Sequence, residues 1–252
     1  MTNLQRPSAP LYDLDPADIT KDDIPFYLKK AAASGGKILE LGCGTGRVTL
    51  ALAQAGHDVC GLDLSDDMLA QLRMKLSRLP ERVRARVTLV HGSMANFALE
   101  RKFDLIIAPY RAFQALTEQA DQKSCLGCIK THLTRRGAFI MHVFRPRQAF
   151  DATWVQPEAF NWEVMDPRSG KRVRRYDVRK RIDLERQVIY VDLIYRAEDT
   201  ADVVEPLALS YFYEPQMRAL LRAQGFRIVE EYGYFDGRPI ADGPELIFVV
   251  SN

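Results

Sequence analysis

Three glycines at alternate positions, Gly42, Gly44 and Gly46, interrupt the apolar run ILELGCGTGRVTL that spans Ile38–Leu50. A backbone stripped of side chains at such a point lets a ligand's polar groups approach its N–H groups and the N-terminus of the helix that follows. The third glycine comes one residue earlier than in the dinucleotide fingerprint G-x-G-x-x-G, and Glu40 in front of the loop makes the pattern E-x-G-x-G-x-G. The next apolar run, HDVCGLDL, ends at Asp63, 17 residues beyond Gly46. A carboxylate there can accept hydrogen bonds from the hydroxyls of a ribose.

These residues need a parallel sheet to hold them. Lys37–Leu41, Asp58–Asp63, Val87–His91, Phe103–Ala108 and Gly137–Phe144 are short runs rich in Val, Ile, Leu and Phe, as expected of strands buried on both faces. Amphipathic stretches at Gly46–Ala55, Asp66–Leu79 and Glu118–Leu133 alternate with them, the second opened by Ser65 as an N-cap with Asp66 and Asp67 in its first turn. The expectation is an α/β fold with helices on both faces of the sheet. After Phe144 the period changes. Phe160–Met165, Val173–Leu184, Val188–Arg196 and Leu207–Tyr213 read as antiparallel strands, the first two joined by the turn DPRSG, so residues 145–213 form an antiparallel β insertion. A helix over Glu214–Gln224, stopped by Gly225, and strands at Phe226–Glu231 and Leu246–Val250 resume the α/β pattern. Residues 1–36 are read as an N-terminal cap segment containing a helix near Asp22–Ala33, and the 252 residues as a single domain.

Composition narrows the setting. No apolar run reaches the length of a membrane span and residues 1–16 lack the features of a signal peptide, so a cytoplasmic location is expected. The four cysteines fit reduced thiols: one C-x-x-C at Cys125 and Cys128 lacks a second pair or matching histidines, and no metal is expected. The segment Lys171–Arg186 holds eight basic and three acidic residues, net +5 in a chain of net +2. It reads as a solvated hairpin or a surface for an anionic partner.

The glycine loop with its two acids resembles motif I and its acidic partner in the Rossmann-like (class I) S-adenosylmethionine-dependent methyltransferases. The likeness extends through GHDVCGLDLSDDML, VTLVHGSM, FDLIIAPYRAFQAL, HLTRRGAFIMHVF and LLRAQGF, and is greatest to the bacterial branch acting on small molecules. The resemblance implies a seven-stranded sheet with its last strand antiparallel, and S-adenosyl-L-methionine across the C-terminal ends of the first strands. It implies Gly42 and Gly44 against the methionine part, Asp63 on the ribose, Leu64 and Met68 beside the adenine, and Met94 at the adenine edge. Tyr12, Tyr27, Glu40, Cys43, Ser93 and Pro109 complete the expected cofactor set. Ser93 departs from the family pattern, which has an aspartate at that place.

Displacement at a sulfonium draws its rate from alignment in a dry site, so no universal catalytic triad is expected. His142, at the end of the fifth strand, is a candidate general base, and Tyr12 and Tyr27 are candidates to contact the sulfonium. The antiparallel insertion is expected to act as a substrate cover, with Tyr176 or Tyr211 lining the acceptor pocket; a homodimer surface is its alternative role. Arg111, Arg145 and Arg175 are candidate anchors for a substrate carboxylate. The expected activity is methyl transfer to an amine or hydroxyl of a small molecule, leaving S-adenosyl-L-homocysteine. An RNA substrate engaging residues 171–186 and a non-catalytic S-adenosylmethionine-binding protein are the alternatives, nucleic acid and membrane being disfavoured as partners. The glycine spacing and the lack of a hydride-transfer constellation argue against an NAD-dependent oxidoreductase.

Overall fold

The computed structural model describes residues 6–17 and 19–252. Residues 1–5 of the expected N-terminal cap, and Asp18, lie outside the described residues. In chain order the elements are α1 (Ile19–Ser34), β1 (Ile38–Leu41), α2 (Arg47–Gln54), β2 (Val59–Asp63), α3 (Asp66–Ser77), α4 (Glu81–Arg84), β3 (Val87–His91), β4 (Phe103–Ala108), α5 (Gln119–His132) and β5 (Leu133–Phe144). There follow β6 (Gln156–Met165), β7 (Arg172–Asp183), β8 (Val188–Ala197), β9 (Val203–Ser210), α6 (Glu214–Ala223), β10 (Arg227–Tyr232) and β11 (Glu245–Ser251). Seven strands form one sheet in the order β10-β11-β5-β4-β1-β2-β3. All neighbours run parallel except β11, antiparallel to both β5 and β10.

Strand alternation divides the core between the two faces of this sheet. Leu39, Leu41, Ile106 and Ala108 point to one side and meet Leu126 and Ile129 of α5 and Met217 and Leu221 of α6. Ile38, Leu105 and Ile107 point to the other and meet Phe26, Tyr27 and Ala31 of α1 and Val48 and Leu52 of α2. Burial on both faces explains why β1 and β4 read as unbroken apolar runs. The topology reverses between β1 and β4, so the C-terminal strand ends there open a crevice for ligands.

The insertion is a separate four-stranded antiparallel sheet, β6-β7-β8-β9. Its inner face is set by register: Trp162 pairs with Arg175, Arg175 with Tyr195, Leu193 with Glu205, and Val191 with Leu207. Trp162, Val173 and Tyr195 pack with Leu11 and Leu14 of the N-terminal segment. The outer face carries the cross-strand row Phe160, Tyr176, Ile194 and Val204. Two expected boundaries move. The last strand lies at Val203–Ser210 rather than Leu207–Tyr213, and the first begins at Gln156 rather than Phe160. Glu205 looks foreign to a buried strand, yet it is 1 % exposed because Arg6 and Ser8 satisfy its carboxylate. Gln114 joins the two sheets: its amide donates to Ser210 O at 2.8 Å and accepts from Phe144 N–H at 3.0 Å.

Candidate functional site

The glycine loop turns sharply after β1. Gly42 N–H and Cys43 N–H both donate to Leu62 O, at 2.8 and 3.1 Å, tying the loop to the end of β2. Gly42 and Gly44 adopt φ of +68° and +54°, a left-handed conformation that costs residues with a Cβ. A Cβ on Gly42 would lie 2.8 Å from Ala112 Cβ, so the loop and the turn after β4 approach closely only because the side chain is absent. A Cβ on Gly44 would meet no described atom within 4 Å. That side of the loop faces the cavity described next.

A cavity of about 420 Å³ opens along the C-terminal ends of β1, β2 and β4 and beneath the insertion. At its first end lie Glu40, Gly42, Cys43, Gly44, Asp63, Leu64, Met68, Ser93 and Met94. Asp63 Oδ2 accepts from Gly44 N–H at 2.7 Å and Oδ1 from Ser65 N–H at 2.9 Å. The carboxylate is thereby fixed, with acceptor capacity left for a ligand. Ser65 in turn caps α3, accepting from Met68 N–H at 3.3 Å. Glu40 is buried, and burial pushes its carboxyl up to about 8 against the hydrogen bond from Thr49 and the charge of Arg47. Arg47 is itself committed to Asp23, Nη2 donating at 2.7 Å, and to Thr20 O at 2.6 Å. Ser93 lines the cavity while its hydroxyl accepts from Ala95 N–H at 3.2 Å.

The second end is walled by the insertion's inner face and the turn after β4. Leu193, Leu207 and Leu209 give it apolar area, and Asp15, Tyr110, Arg111, Arg175, Tyr195 and Glu205 give it polar groups. Asp15 Oδ2 receives Arg175 Nη1 at 2.9 Å and lies 3.5 Å from the Tyr110 hydroxyl. Burial, reinforced by Asp15, raises the Tyr110 phenol above its ordinary range. Burial also carries Tyr195 up to about 12, so both phenols are neutral at physiological pH. The N-terminal segment crosses above, with Asp13 accepting from Thr45 Oγ1 at 2.6 Å and from Lys75 Nζ at 2.8 Å.

Eleven residues singled out from the sequence as a cofactor set line this one cavity: Tyr12, Glu40, Gly42, Cys43, Gly44, Asp63, Leu64, Met68, Ser93, Met94 and Pro109. Four other candidates lie elsewhere. Tyr27 is fully buried in the core between α1 and the sheet, edge-on to Phe26 at 5.6 Å, and does not line the cavity. His142 is fully buried too, and both ring nitrogens are occupied: Tyr110 N–H donates to Nδ1 at 3.1 Å, and Nε2 meets Glu245 at 3.0 Å. With Nδ1 accepting, Nε2 carries the proton and donates to the carboxylate. The ring has no capacity left to act as a general base, so its part is to hold the Pro109–Arg111 turn.

Tyr176 lies on the outer face of the insertion, against Phe160 at 5.7 Å and under the Arg196 guanidinium at 4.5 Å. The face-flip between neighbours on a strand gives Arg175 the inner position instead. Tyr211 follows the end of β9 and packs edge-on to Phe150 at 4.7 Å, away from the cavity. Of the candidate anchors, Arg145 is held by Glu214 and the carbonyls of Ile240 and Ala241, off the cavity. Sequence reasoning missed Asp15, Tyr195 and Glu205. Glu205 shares strand parity with Leu207 and Leu209, which was the available signal; Asp15, in a segment without periodicity, had none.

Comparison with known proteins gives the cavity its context. The family described as "Methyltransferase domain" matches residues 38–137. A dTDP-3-amino-3,4,6-trideoxy-alpha-D-glucopyranose N,N-dimethyltransferase of Streptomyces venezuelae is 23% identical over 249 residues, covering 92% of this chain and 97% of that protein. Among solved structures, the CcbJ methyltransferase from Streptomyces caelestis aligns with TM-score 0.80 and 26% identity over 97% of this chain and 95% of that one. The SAM-bound CalS10 amino pentose methyltransferase from Micromonospora echinaspora shares the fold, with TM-score 0.70 and 22% identity over 98% of this chain and 96% of its own.

Proposed function

This chain belongs to the class I S-adenosylmethionine-dependent methyltransferases, related to bacterial small-molecule enzymes, and from that premise we propose that it methylates the amine of an amino sugar or similar small acceptor. The observation that carries the reading is one cavity joining the Glu40–Asp63 end to an end with polar groups under the insertion. The donor set suits S-adenosylmethionine. Asp63 offers a fixed carboxylate for a ribose, Leu64 and Met68 an apolar shelf for adenine, Gly44 an unobstructed backbone, and Glu40 a buried carboxyl beside the loop. When bound there, the cofactor supplies a methyl group already activated on a sulfonium.

The remaining chemistry is alignment and water exclusion by this chain's own groups. The acceptor nitrogen must arrive unprotonated with its lone pair free. Asp15, steadied by Arg175, and the neutral phenols of Tyr110 and Tyr195 are placed to accept its N–H bonds and orient that lone pair. A neutral phenol of raised pKa does not remove a proton, so neither tyrosine is the base. The insertion sheet and the N-terminal segment serve as the cover over this end.

The basic stretch of residues 171–186 favours RNA weakly, because Arg174 pairs with Glu163, Lys180 with Asp192 and Arg186 with Glu118. The outer row Phe160–Tyr176–Ile194–Val204, rimmed by the mixed pairs Glu163–Arg174 and Glu158–Arg196, supports a homodimer through that face. No helix among the described residues is long and apolar enough to cross a membrane. The four free cysteines support a cytoplasmic setting.

The test is a panel of amino sugars, simple amines and phenols scored by S-adenosylhomocysteine release, with Asp63→Ala alongside. Amines should turn over, and Asp63→Ala should weaken S-adenosylhomocysteine by about 1.5–3 kcal/mol as a charged acceptor is lost. Turnover confined to phenols would overturn the amine assignment.

A further inference from the structure

Four arginines line the cavity, and three have their charge answered. Arg6 pairs with Glu205, Arg47 with Asp23, and Arg175 with both Asp15 and Asp177. Arg111 differs. Its nearest acid is Glu245, with Nη2 3.7 Å away, beyond hydrogen-bond range. Its Nε is buried and has no partner among the described residues. The guanidinium lies over the rings of Tyr110 at 5.6 Å and Phe144 at 5.4 Å, and its terminal nitrogens, on a side chain 36 % exposed, make no hydrogen bond among the described residues.

The backbone is arranged to put it there. Tyr110 and Arg111 are consecutive non-glycine residues with φ of +45° and +69°, a conformation that persists only where surrounding structure enforces it. The enforcement is visible: His142 accepts Tyr110 N–H at 3.1 Å, Ala112 N–H donates to Pro109 O at 3.0 Å, and Gln114 N–H donates to Arg111 O at 2.9 Å. Glu245 is spent on His142, so it steadies Arg111 without saturating it.

We infer that Arg111 is an oxyanion anchor for the acceptor: the substrate carries a phosphate or carboxylate that completes the hydrogen bonds of this guanidinium. The inference deepens the amine-methyltransferase reading and rests on it for the identity of the ligand. A planar fork with free donors matches an oxyanion of either kind in bidentate geometry. Arg111 is a specificity-determining residue on this account, and takes no part in bond making.

The experiment needs no turnover. Protein saturated with S-adenosylhomocysteine is titrated calorimetrically, at constant ionic strength, with inorganic phosphate and separately with acetate. Unaltered protein should bind at least one, and the stronger arm identifies the oxyanion. Arg111→Gln should weaken that binding at least about tenfold, and Arg111→Lys, which keeps charge but loses the fork, by an intermediate factor. Arg174→Gln, an exposed change on the outer face, should leave it unaltered. If Arg111→Gln does not hold S-adenosylhomocysteine, the lysine variant carries the comparison, with about threefold weakening expected. The anchor is refuted if the unaltered protein binds neither anion, if the Arg111 variants bind as tightly as it does, or if Arg174→Gln loses as much. Failure of the methyltransferase reading shows separately, as absence of S-adenosylhomocysteine release with every amine.

Discussion

Ser93 spends its hydroxyl on Ala95 N–H while facing the cavity. An aspartate there keeps that cap with one oxygen and presents a second, charged one to the ligand. Ser93→Asp should therefore lower the dissociation constant of S-adenosylhomocysteine in calorimetry; an unchanged value would show that the side chain does not reach adenine. Glu40 supplies a pH dependence with a definite sign. Its folded pKa of about 8 lies above the ordinary 4.5, so the folded protein retains a proton that the unfolded chain gives up. The stability contributed by that proton is complete below about 4.5 and lost as pH rises through about 8, at roughly 1.4 kcal/mol per unit of pKa difference. Urea unfolding of the protein and of Glu40→Gln should show the former losing ground to the latter across that window. Parallel curves would disprove it. The glycines and Asp63 were legible because their spacing is local. The roles of His142 and Tyr27 were not, because only a contact such as His142 with Glu245, 103 residues apart, shows that a buried ring is already occupied.

At the level of elements, Gln114 bears the junction between the sheets. Gln114→Leu would strand the buried Ser210 O and leave the part-buried Phe144 N–H without its partner, a cost of roughly 1–3 kcal/mol that denaturation midpoints would register. A loss under about 1 kcal/mol would mean that water replaces the amide. The doubly buried strands were readable as apolar runs, and the insertion as alternation. Their phase was harder. In β7, Arg175 and Tyr176 exchange the faces that hydrophobicity suggests, because the inner arginine is answered by Asp177 on its own strand and by Asp15, 160 residues away. A bulge in the β6–β7 pairing between Phe160 and Trp162 further shifts parity along that edge. Charge compensation from a distant segment leaves no local trace, and for the same reason the start of β9 lies at Val203, ahead of Glu205, which Arg6 and Ser8 answer.

Across the whole molecule, the N-terminal segment is a strap with fastenings on two bodies. Arg6 and Ser8 engage Glu205 and Asp15 engages Arg175 on the insertion; Asp13 engages Thr45 and Lys75 beside the glycine loop. Leu11 and Leu14 pack against Trp162, Val173 and Tyr195 between these polar ends. Parting such a strap is a kinetic event, and its more exposed fastening, Lys75–Asp13, is open to screening. The dissociation rate of S-adenosylhomocysteine, followed by stopped flow, should rise with ionic strength, and Lys75→Ala should reproduce the high-salt rate at low salt. A rate indifferent to both would mean that the strap does not gate exchange. Residence time then governs product distribution. A nitrogen that takes two methyl groups needs a fresh cofactor between transfers, and a firmly fastened strap gives the monomethyl amine time to leave first. Loosening it should shorten the interval over which that intermediate accumulates in solution.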